Sequence, residues 1–183
     1  EDKSLKHGPL ELLFTIDEET GLTGASNLGP GLLEGKCLIN LDTEEEGSLY
    51  VGCAGGAGSD ITLPLKSARV PKTMMALQLK VIGMRGGHSG VDIHLQRGNA
   101  SKLLARALYR AMRNKVFFNL AAFSGGNKHN AIPREAFATV VLPGKSRQKF
   151  EQVVQAEMAN VIDEYRTVEP DIKLVIEDRK AKE

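Results

Sequence analysis

The order of strand-like and helix-like apolar patterns in the second part of the chain constrains the fold most. Alternation of apolar and polar side chains predicts strands, and apolar recurrence every three or four residues predicts helices. In chain order these segments are a strand at 72–82, a helix at 99–113, strands at 116–123 and 136–142, a helix from Ser146 that ends before Pro170, and a strand at 171–177. This β-α-β-β-α-β order predicts a ferredoxin-like unit, in which two helices cover one face of a sheet and leave the other face free for a partner.

Both predicted helices are amphipathic. The apolar stripe of the first consists of Leu103, Leu104, Ala107, Leu108, Ala111 and Met112. The stripe of the second consists of Phe150, Val153, Val154, Val161, Ile162 and Tyr165. Asn99 and Ser146 precede the two stripes and are typical N-cap residues.

The first part of the chain is predicted to be too small for a fold of its own. It offers a strand at 10–16, a short helix or turn at 22–33, and strands at 36–41 and 48–53. So few elements cannot close a doubly wound α/β sheet around a core. We therefore expect further chain before residue 1.

A glycine-rich segment at 52–58 (GCAGGAG) separates the two parts. It lacks the lysine and the Ser/Thr of a phosphate-binding loop, and no convincing helix follows it. We interpret it as a crossover and predict one domain at 1–56 and another at 57–183. The fold class is then α/β in the first domain and α+β in the second.

Composition and charge exclude several classes of protein. The net charge is +1 and no basic stripe with interleaved aromatic residues occurs, so nucleic-acid binding is not expected. The longest apolar stretches have strand length, so no membrane span is predicted, and no signal peptide precedes the first strand. Cys37 and Cys53 lack CxxC spacing, which disfavours a thiolate zinc site and is typical of free thiols in a reducing cytoplasm.

Carboxylates follow two predicted strands of the first part. Asp17, Glu18 and Glu19 follow the first strand, and Asp42 follows the second. An α/β sheet usually carries its chemistry at the carboxyl ends of its strands, and acids from two strands at one rim predict a metal site. Of adjacent Glu18 and Glu19, one can bind metal while the other takes a proton from a metal-bound water. The alternative is that these acids are solvated turn residues.

Two loops of the second part carry His, Asn and Arg among glycines. His88 lies in GGHSG at 86–90, and Asn127 and Arg134 lie in GGNKHNAIPR at 125–134. Arginine offers a two-pronged donor, while asparagine and histidine offer neutral donors. The loops therefore predict recognition of a carboxylate or of a developing oxyanion. The alternative is an exposed loop histidine without a function.

Four motifs, in order along the chain, carry a family resemblance. They are TIDEETG at 15–21, LINLD at 38–42, GGHSG at 86–90 and GNKHNAIPRE at 126–135. Together they closely resemble the aminoacyl-histidine dipeptidases, also called cytosolic non-specific dipeptidases, within the co-catalytic zinc peptidases of the M20 type. The resemblance runs over nearly the whole chain, and four motifs in register are far more specific than any one of them.

The resemblance implies a role for each acid and a cofactor. Glu18 matches the general base of the family, and Glu19 matches a ligand of one zinc ion. Asp42 matches a ligand of the second zinc ion, so two zinc ions per site are implied. Asp17 is expected to support the site without binding metal.

The resemblance also implies roles in the second part, which matches the lid domain of the family. His88 matches the lid histidine that reaches across a homodimer and polarises the scissile carbonyl in the partner's site. Asn127 and Arg134 lie in the stretch that binds the backbone carboxylate of the dipeptide substrate. A cytoplasmic homodimer that forms through the lid is therefore implied.

Three elements of the family's metal site are absent from the sequence. They are the His-x-Asp motif, the bridging aspartate and the last histidine ligand. The resemblance thus implies an internal piece of a longer enzyme, with the end of the first catalytic-domain segment at 1–56 and a ferredoxin-like lid at 57–183. Because two zinc ions normally share a bridging carboxylate, we expect the piece by itself to be inactive.

Two other functions stay open at this point. An aminoacylase or deacetylase of the same family would act on N-acyl amino acids with the same motifs, since the motifs fix amide hydrolysis next to a carboxylate better than they fix the acyl group. Outside the enzymes, 57–183 alone is compatible with a ferredoxin-like association module that performs no chemistry.

Overall fold

The computed structural model describes residues 4–42, 45–53, 55 and 57–179. The chain divides into two compact units, residues 1–63 and residues 64–183. We refer to them as the N-terminal unit and the C-terminal unit. The domains at 1–56 and 57–183 that the sequence predicts stay a proposal.

The described part of the N-terminal unit contains two one-turn helices, α1 (Glu18–Gly21) and α2 (Thr23–Ser26). Leu22 lies between them and has a left-handed backbone, with φ of 57°. A leucine in this conformation ends α1 after a single turn, because its backbone cannot continue a right-handed helix. The helix or turn predicted at 22–33 is therefore α2 followed by irregular chain.

The strands predicted at 10–16, 36–41 and 48–53 are wrong for this structure. None of these segments belongs to a strand ladder among the described residues, and their apolar side chains are exposed, with Phe14 at 88% and Leu41 at 88%. Alternation of apolar and polar side chains shows that a segment suits a half-buried strand. A strand forms only beside another strand that pairs with its backbone N–H and C=O groups.

The C-terminal unit is a four-stranded antiparallel sheet with two helices. Its main elements are β1 (Met74–Ile82), β2 (Gly87–His88), α3 (Ala100–Arg113), β3 (Asn119–Gly125), β4 (Ala131–Ile132), β5 (Ala136–Pro143), α4 (Arg147–Tyr165) and β6 (Lys173–Arg179). The large sheet has the order β3-β5-β1-β6, and β2 and β4 form a separate ladder. This order confirms the predicted β-α-β-β-α-β unit, to which the structure adds β2 and β4.

The central strand β1 organises the hydrophobic core. It pairs with β5 on one side and with β6 on the other, so that Leu79 lies opposite Ala138 and Ile176. Leu77, Leu79 and Val81 are fully buried in one cluster with side chains from both helices. The largest fully buried helical members of that cluster are Phe150, Leu104 and Met158.

Helix α3 begins as the sequence predicts, whereas α4 does not. The Asn99 side chain accepts a hydrogen bond from the backbone N–H of Lys102 at 3.1 Å, which confirms it as an N-cap. Ser146 occupies the corresponding position before α4 but makes no capping bond. A short 3₁₀ turn, Gly144–Ser146, leads into α4 instead.

One arginine on α3 links the two helices through acids of α4. The Nε of Arg106 donates to Glu157 at 2.7 Å, and its two Nη groups donate to Glu164 at 2.7 and 2.6 Å. The hydrogen bonds from Arg106 lower the pKa of Glu164. Glu157 is buried, so its carboxylate depends on this pairing.

We expect a Leu79→Ala substitution to destabilise the C-terminal unit by about 2–5 kcal/mol, because it leaves a cavity under both helices. Urea unfolding of the full chain, followed by helix content, measures this loss. Met112→Ala is the matched control, since Met112 lies on α3 but is 56% exposed. Equal losses for the two variants would contradict the central place of β1 in the core.

Candidate functional site

The two glycine-rich loops of the C-terminal unit meet. We call residues 85–98, which join β1 to α3, the His88 loop, and residues 126–135 the second loop. Strand β2 of the His88 loop pairs antiparallel with β4 of the second loop, with His88 opposite Ala131. The backbone N–H of Ser89 also donates to the carbonyl of Asn130 at 2.8 Å. Two segments that the sequence flagged separately thus form one surface.

The middle of the His88 loop is closed by an aspartate and an arginine. The carboxylate of Asp92 accepts the backbone N–H of His88 at 2.9 Å. The Nη1 of Arg97 donates to the carbonyl of Gly86 at 2.6 Å and lies 3.6 Å from the Asp92 carboxylate. A Cβ on Gly87, which has φ of +148°, would lie 2.6 Å from both side chains. Glycine is needed there because the closing pair lies against its Cα.

The imidazole of His88 is exposed and oriented by its own loop. Its Nδ1 accepts the backbone N–H groups of Gly90 at 3.0 Å and of Val91 at 3.1 Å. This leaves Nε2 as the ring nitrogen that can contact a ligand. A side chain at position 90 would disturb this geometry, since a Cβ on Gly90 would lie 3.3 Å from the ring.

A cleft of about 470 Å³ lies between the two loops. Its polar side chains are Arg85, Arg134, Asn127, Ser124 and Glu135. Two guanidinium groups and a neutral amide in one cleft suit a ligand carboxylate. His88 adjoins this cleft, because its chain neighbour Gly87 and its strand partner Ala131 both line it.

The acids singled out in the sequence lie in the N-terminal unit. Glu18 and Glu19 form the first turn of α1, and all three of Asp17, Glu18 and Glu19 are exposed. Asp42 is exposed too, and its backbone N–H donates to the side chain of Asn40 at 2.9 Å. Across the described ranges no three His, Cys, Asp or Glu side chains come together as a metal site. These residues alone therefore do not fit a metal ion.

The structure adds residues that sequence reasoning missed. Arg85 lines the cleft beside Arg134, and its position directly before Gly86 in the motif was the one available signal. Asp92 fixes the His88 loop together with Arg97, the arginine that the sequence places in that loop, and the Asp92 side chain carries no pattern that distinguishes it from a solvated loop residue. Glu169 accepts the backbone N–H groups of Arg85 and Gly98, and its distance from them along the sequence hides this contact.

Comparison with known proteins gives a family match within the C-terminal unit. Residues 80–168 match the family model described as the peptidase dimerisation domain. The matched stretch contains both loops, α3, α4, β3 and β5, together with the end of β1. This segment is therefore similar to the dimerisation domains of peptidases.

The similarity to whole peptidases extends beyond the dimerisation domain. The cytosol non-specific dipeptidase of Escherichia coli (strain K12) is 39% identical over 176 residues, which cover 96% of this chain and 36% of the relative. The solved aminoacylhistidine dipeptidase of Vibrio alginolyticus is 37% identical with a TM-score of 0.78, over 99% of this chain and 37% of that chain. The resemblance to the aminoacyl-histidine dipeptidases is thus confirmed, and the chain spans little more than a third of their length.

The length and polarity of the helices bear on whether any of them could span a membrane. In the ranges that the structure describes, each helix is too short or too polar to cross a membrane.

Proposed function

We infer that this chain is part of a dipeptidase that hydrolyses Xaa-His and other dipeptides in the cytoplasm. The observation that carries the inference is identity of 37–39% to two dipeptidases over at least 96% of this chain. The cleft beside His88 supports it, because a dipeptide ends in a carboxylate and the cleft carries two arginines. By itself the chain is proposed to be inactive.

Peptide hydrolysis assigns one task to each residue. Glu18 takes a proton from the attacking water as its oxygen bonds to the carbonyl carbon, and later gives that proton to the amine as the C–N bond breaks. His88 donates from Nε2 to the oxygen on which negative charge develops. Asn127 and Arg134 hold the carboxylate of the substrate and so fix which amide bond is cleaved.

We propose zinc as the cofactor, two ions per site, with Glu19 and Asp42 among the ligands. The support is the match of both residues to the ligand motifs of the zinc peptidases. The described residues do not complete such a site. The missing ligands are proposed to come from the rest of a longer polypeptide, because the sequence lacks the His-x-Asp motif of the family.

In the intact enzyme, Glu18→Gln keeps the shape of the side chain and removes its basicity. We expect turnover to fall by about 10²–10⁴-fold, the usual contribution of a general base, with metal content unchanged. Steady-state hydrolysis of a Xaa-His dipeptide measures this. Glu46→Gln, at another exposed acid of the same unit, is the control and is expected to keep full turnover. Equal turnover of the two variants would refute the role of Glu18.

If Glu19 and Asp42 are ligands, their Ala variants lose zinc in the intact enzyme before the C-terminal unit loses stability. Metal analysis by mass spectrometry of protein purified without chelator, together with thermal unfolding, tests this order. Glu46→Ala is expected to keep its zinc. Full zinc occupancy in both ligand variants would identify them as ordinary turn acids.

We propose that a second copy of the chain pairs along β3. Among the described strands β3 pairs only with β5, and it is exposed throughout and carries no charge. The opposite edge, β6, contains Lys173, Glu177, Asp178 and Arg179. Charged edge strands resist pairing with another sheet, whereas an uncharged edge invites it.

The double variant Leu120→Lys, Phe123→Lys places two positive charges on the β3 edge, and we expect it to be monomeric. Lys173→Glu on β6 is the control and is expected to leave the dimer intact. Light scattering after size-exclusion chromatography measures both masses. A dimer that survives the β3 variant and dissociates in the β6 variant would show that the chains pair along β6 and not along β3.

The dimer also tests whether His88 acts in the partner's site. A His88→Ala enzyme and a Glu18→Gln enzyme, each inactive, are mixed under conditions in which subunits exchange. Each mixed dimer then has one site with its own intact Glu18 and the partner's intact histidine, so we expect activity to return. Mixed dimers that form but stay inactive would show that His88 acts within its own subunit or has a structural role.

A further inference from the structure

A single buried carboxylate holds both ends of the His88 loop. Glu169 is 1% exposed. Its Oε2 accepts the backbone N–H of Arg85 at 2.8 Å, and its Oε1 accepts the backbone N–H of Gly98 at 3.2 Å. These two residues begin and end the loop, so the two oxygens close it as a clamp. Hydrogen bonds from backbone N–H groups to a carboxylate are stronger than those between neutral groups.

The Glu169 clamp is fixed to the end of helix α4. The backbone N–H of Glu169 donates to the carbonyl of Tyr165, the last residue of α4, at 2.7 Å. Gly98 lies so close to the core that a Cβ there would contact Leu103 and Tyr165 at 3.3 Å. The end of α4 thereby sets the separation of the two loop ends.

The loop held in this way determines which ring nitrogen of His88 carries the proton. Two backbone N–H groups, those of Gly90 and Val91, point at Nδ1, and neither can accept a hydrogen bond. Nδ1 is therefore the acceptor, and the proton of the neutral ring is on Nε2. A histidine in this tautomer presents a donor to solvent and suits a carbonyl oxygen or an oxyanion.

We propose that Glu169 and Asp92 are positioning residues that hold His88 as an outward Nε2–H donor. Glu169 fixes the ends of the His88 loop, and Asp92 fixes the backbone N–H of His88 itself. The use of that donor in catalysis rests on the proposed function. The tautomer and its dependence on Glu169 do not, because they are properties of this chain.

Removal of the carboxylate has a specific consequence. In Glu169→Gln one oxygen is replaced by an NH₂ group, which cannot accept an N–H. At least one of the N–H groups of Arg85 and Gly98 then lacks its partner. The loop is expected to open more often, and the bonds to Nδ1 break with it.

The test is nitrogen NMR of the full 183-residue chain at about pH 8, where an ordinary histidine is neutral. Long-range ¹H–¹⁵N spectra report the tautomer of His88, and a His88→Gln variant assigns its signals. We expect the Nε2–H tautomer in the unmodified chain. In Glu169→Gln we expect a mixture of tautomers and amide exchange at Gly90 and Val91 faster by about tenfold or more, the effect of losing a charged hydrogen bond.

Glu157→Gln is the matched control. Glu157 is another buried acid of the same unit, and its partners are Arg106 and Arg110 rather than the His88 loop. It is expected to lower stability and leave the His88 signals unchanged. Signals that stay unchanged in Glu169→Gln, or that change equally in Glu157→Gln, would overturn the proposal.

Asp92→Ala keeps the proposal testable if Glu169→Gln does not fold. Asp92 is half-buried within the loop and lies outside the hydrophobic core, so its loss removes the acceptor of the His88 N–H and leaves the core intact. We expect the same mixture of tautomers in this variant, and an unchanged Nε2–H signal would count against the proposal. An Nδ1–H signal in the unmodified chain refutes it outright, whereas full activity of His88→Ala in the intact enzyme refutes the proposed function and leaves the tautomer standing.

Discussion

The burial of one face of β1 beneath α3 and α4 is the interaction on which the C-terminal unit depends. Leu77, Leu79 and Val81 are fully buried, and β1 pairs with a strand on each side. The His88 loop lies between β1 and α3, and both of these elements belong to this core. A loop whose flanking elements are fixed in a close-packed interior can hold a side chain in one orientation, because such interiors deform little.

The candidate site is a polar surface on a rigid support. The ladder between β2 and β4 brings two glycine-rich loops together, and Glu169 holds the ends of the His88 loop. The two loops supply a cleft with Arg85, Arg134 and Asn127. Glycines at these positions let the backbones approach closely. The acids Glu18, Glu19 and Asp42 belong to the N-terminal unit, whose described residues do not form a metal site. Residues 80–168, which match the peptidase dimerisation domain model, lie within the C-terminal unit.

Sequence reasoning succeeded where the signal is local. The helix at 99–113 follows from its apolar period and from the Asn99 cap, and α3 begins at Ala100. It failed where a partner decides the outcome. The segments at 10–16 and 36–41 have the alternation of strands, yet they lie exposed without a strand neighbour among the described residues. Ser146 is a residue type that often caps helices. The described chain enters α4 through a 3₁₀ turn, however, and the Ser146 hydroxyl makes no capping hydrogen bond.

The sequence by itself determined the order of elements in the C-terminal unit, the two glycine-rich loops and the motifs that resemble the dipeptidases. These are properties of residue type and spacing, which act over a few neighbouring residues. Only the tertiary structure decided that the two loops meet, that Arg85 lines their cleft and that Glu169 closes the His88 loop from 71 positions beyond Gly98. Such contacts depend on how distant segments pack, and a buried acid becomes recognisable as a clamp only when the N–H groups that it satisfies are known.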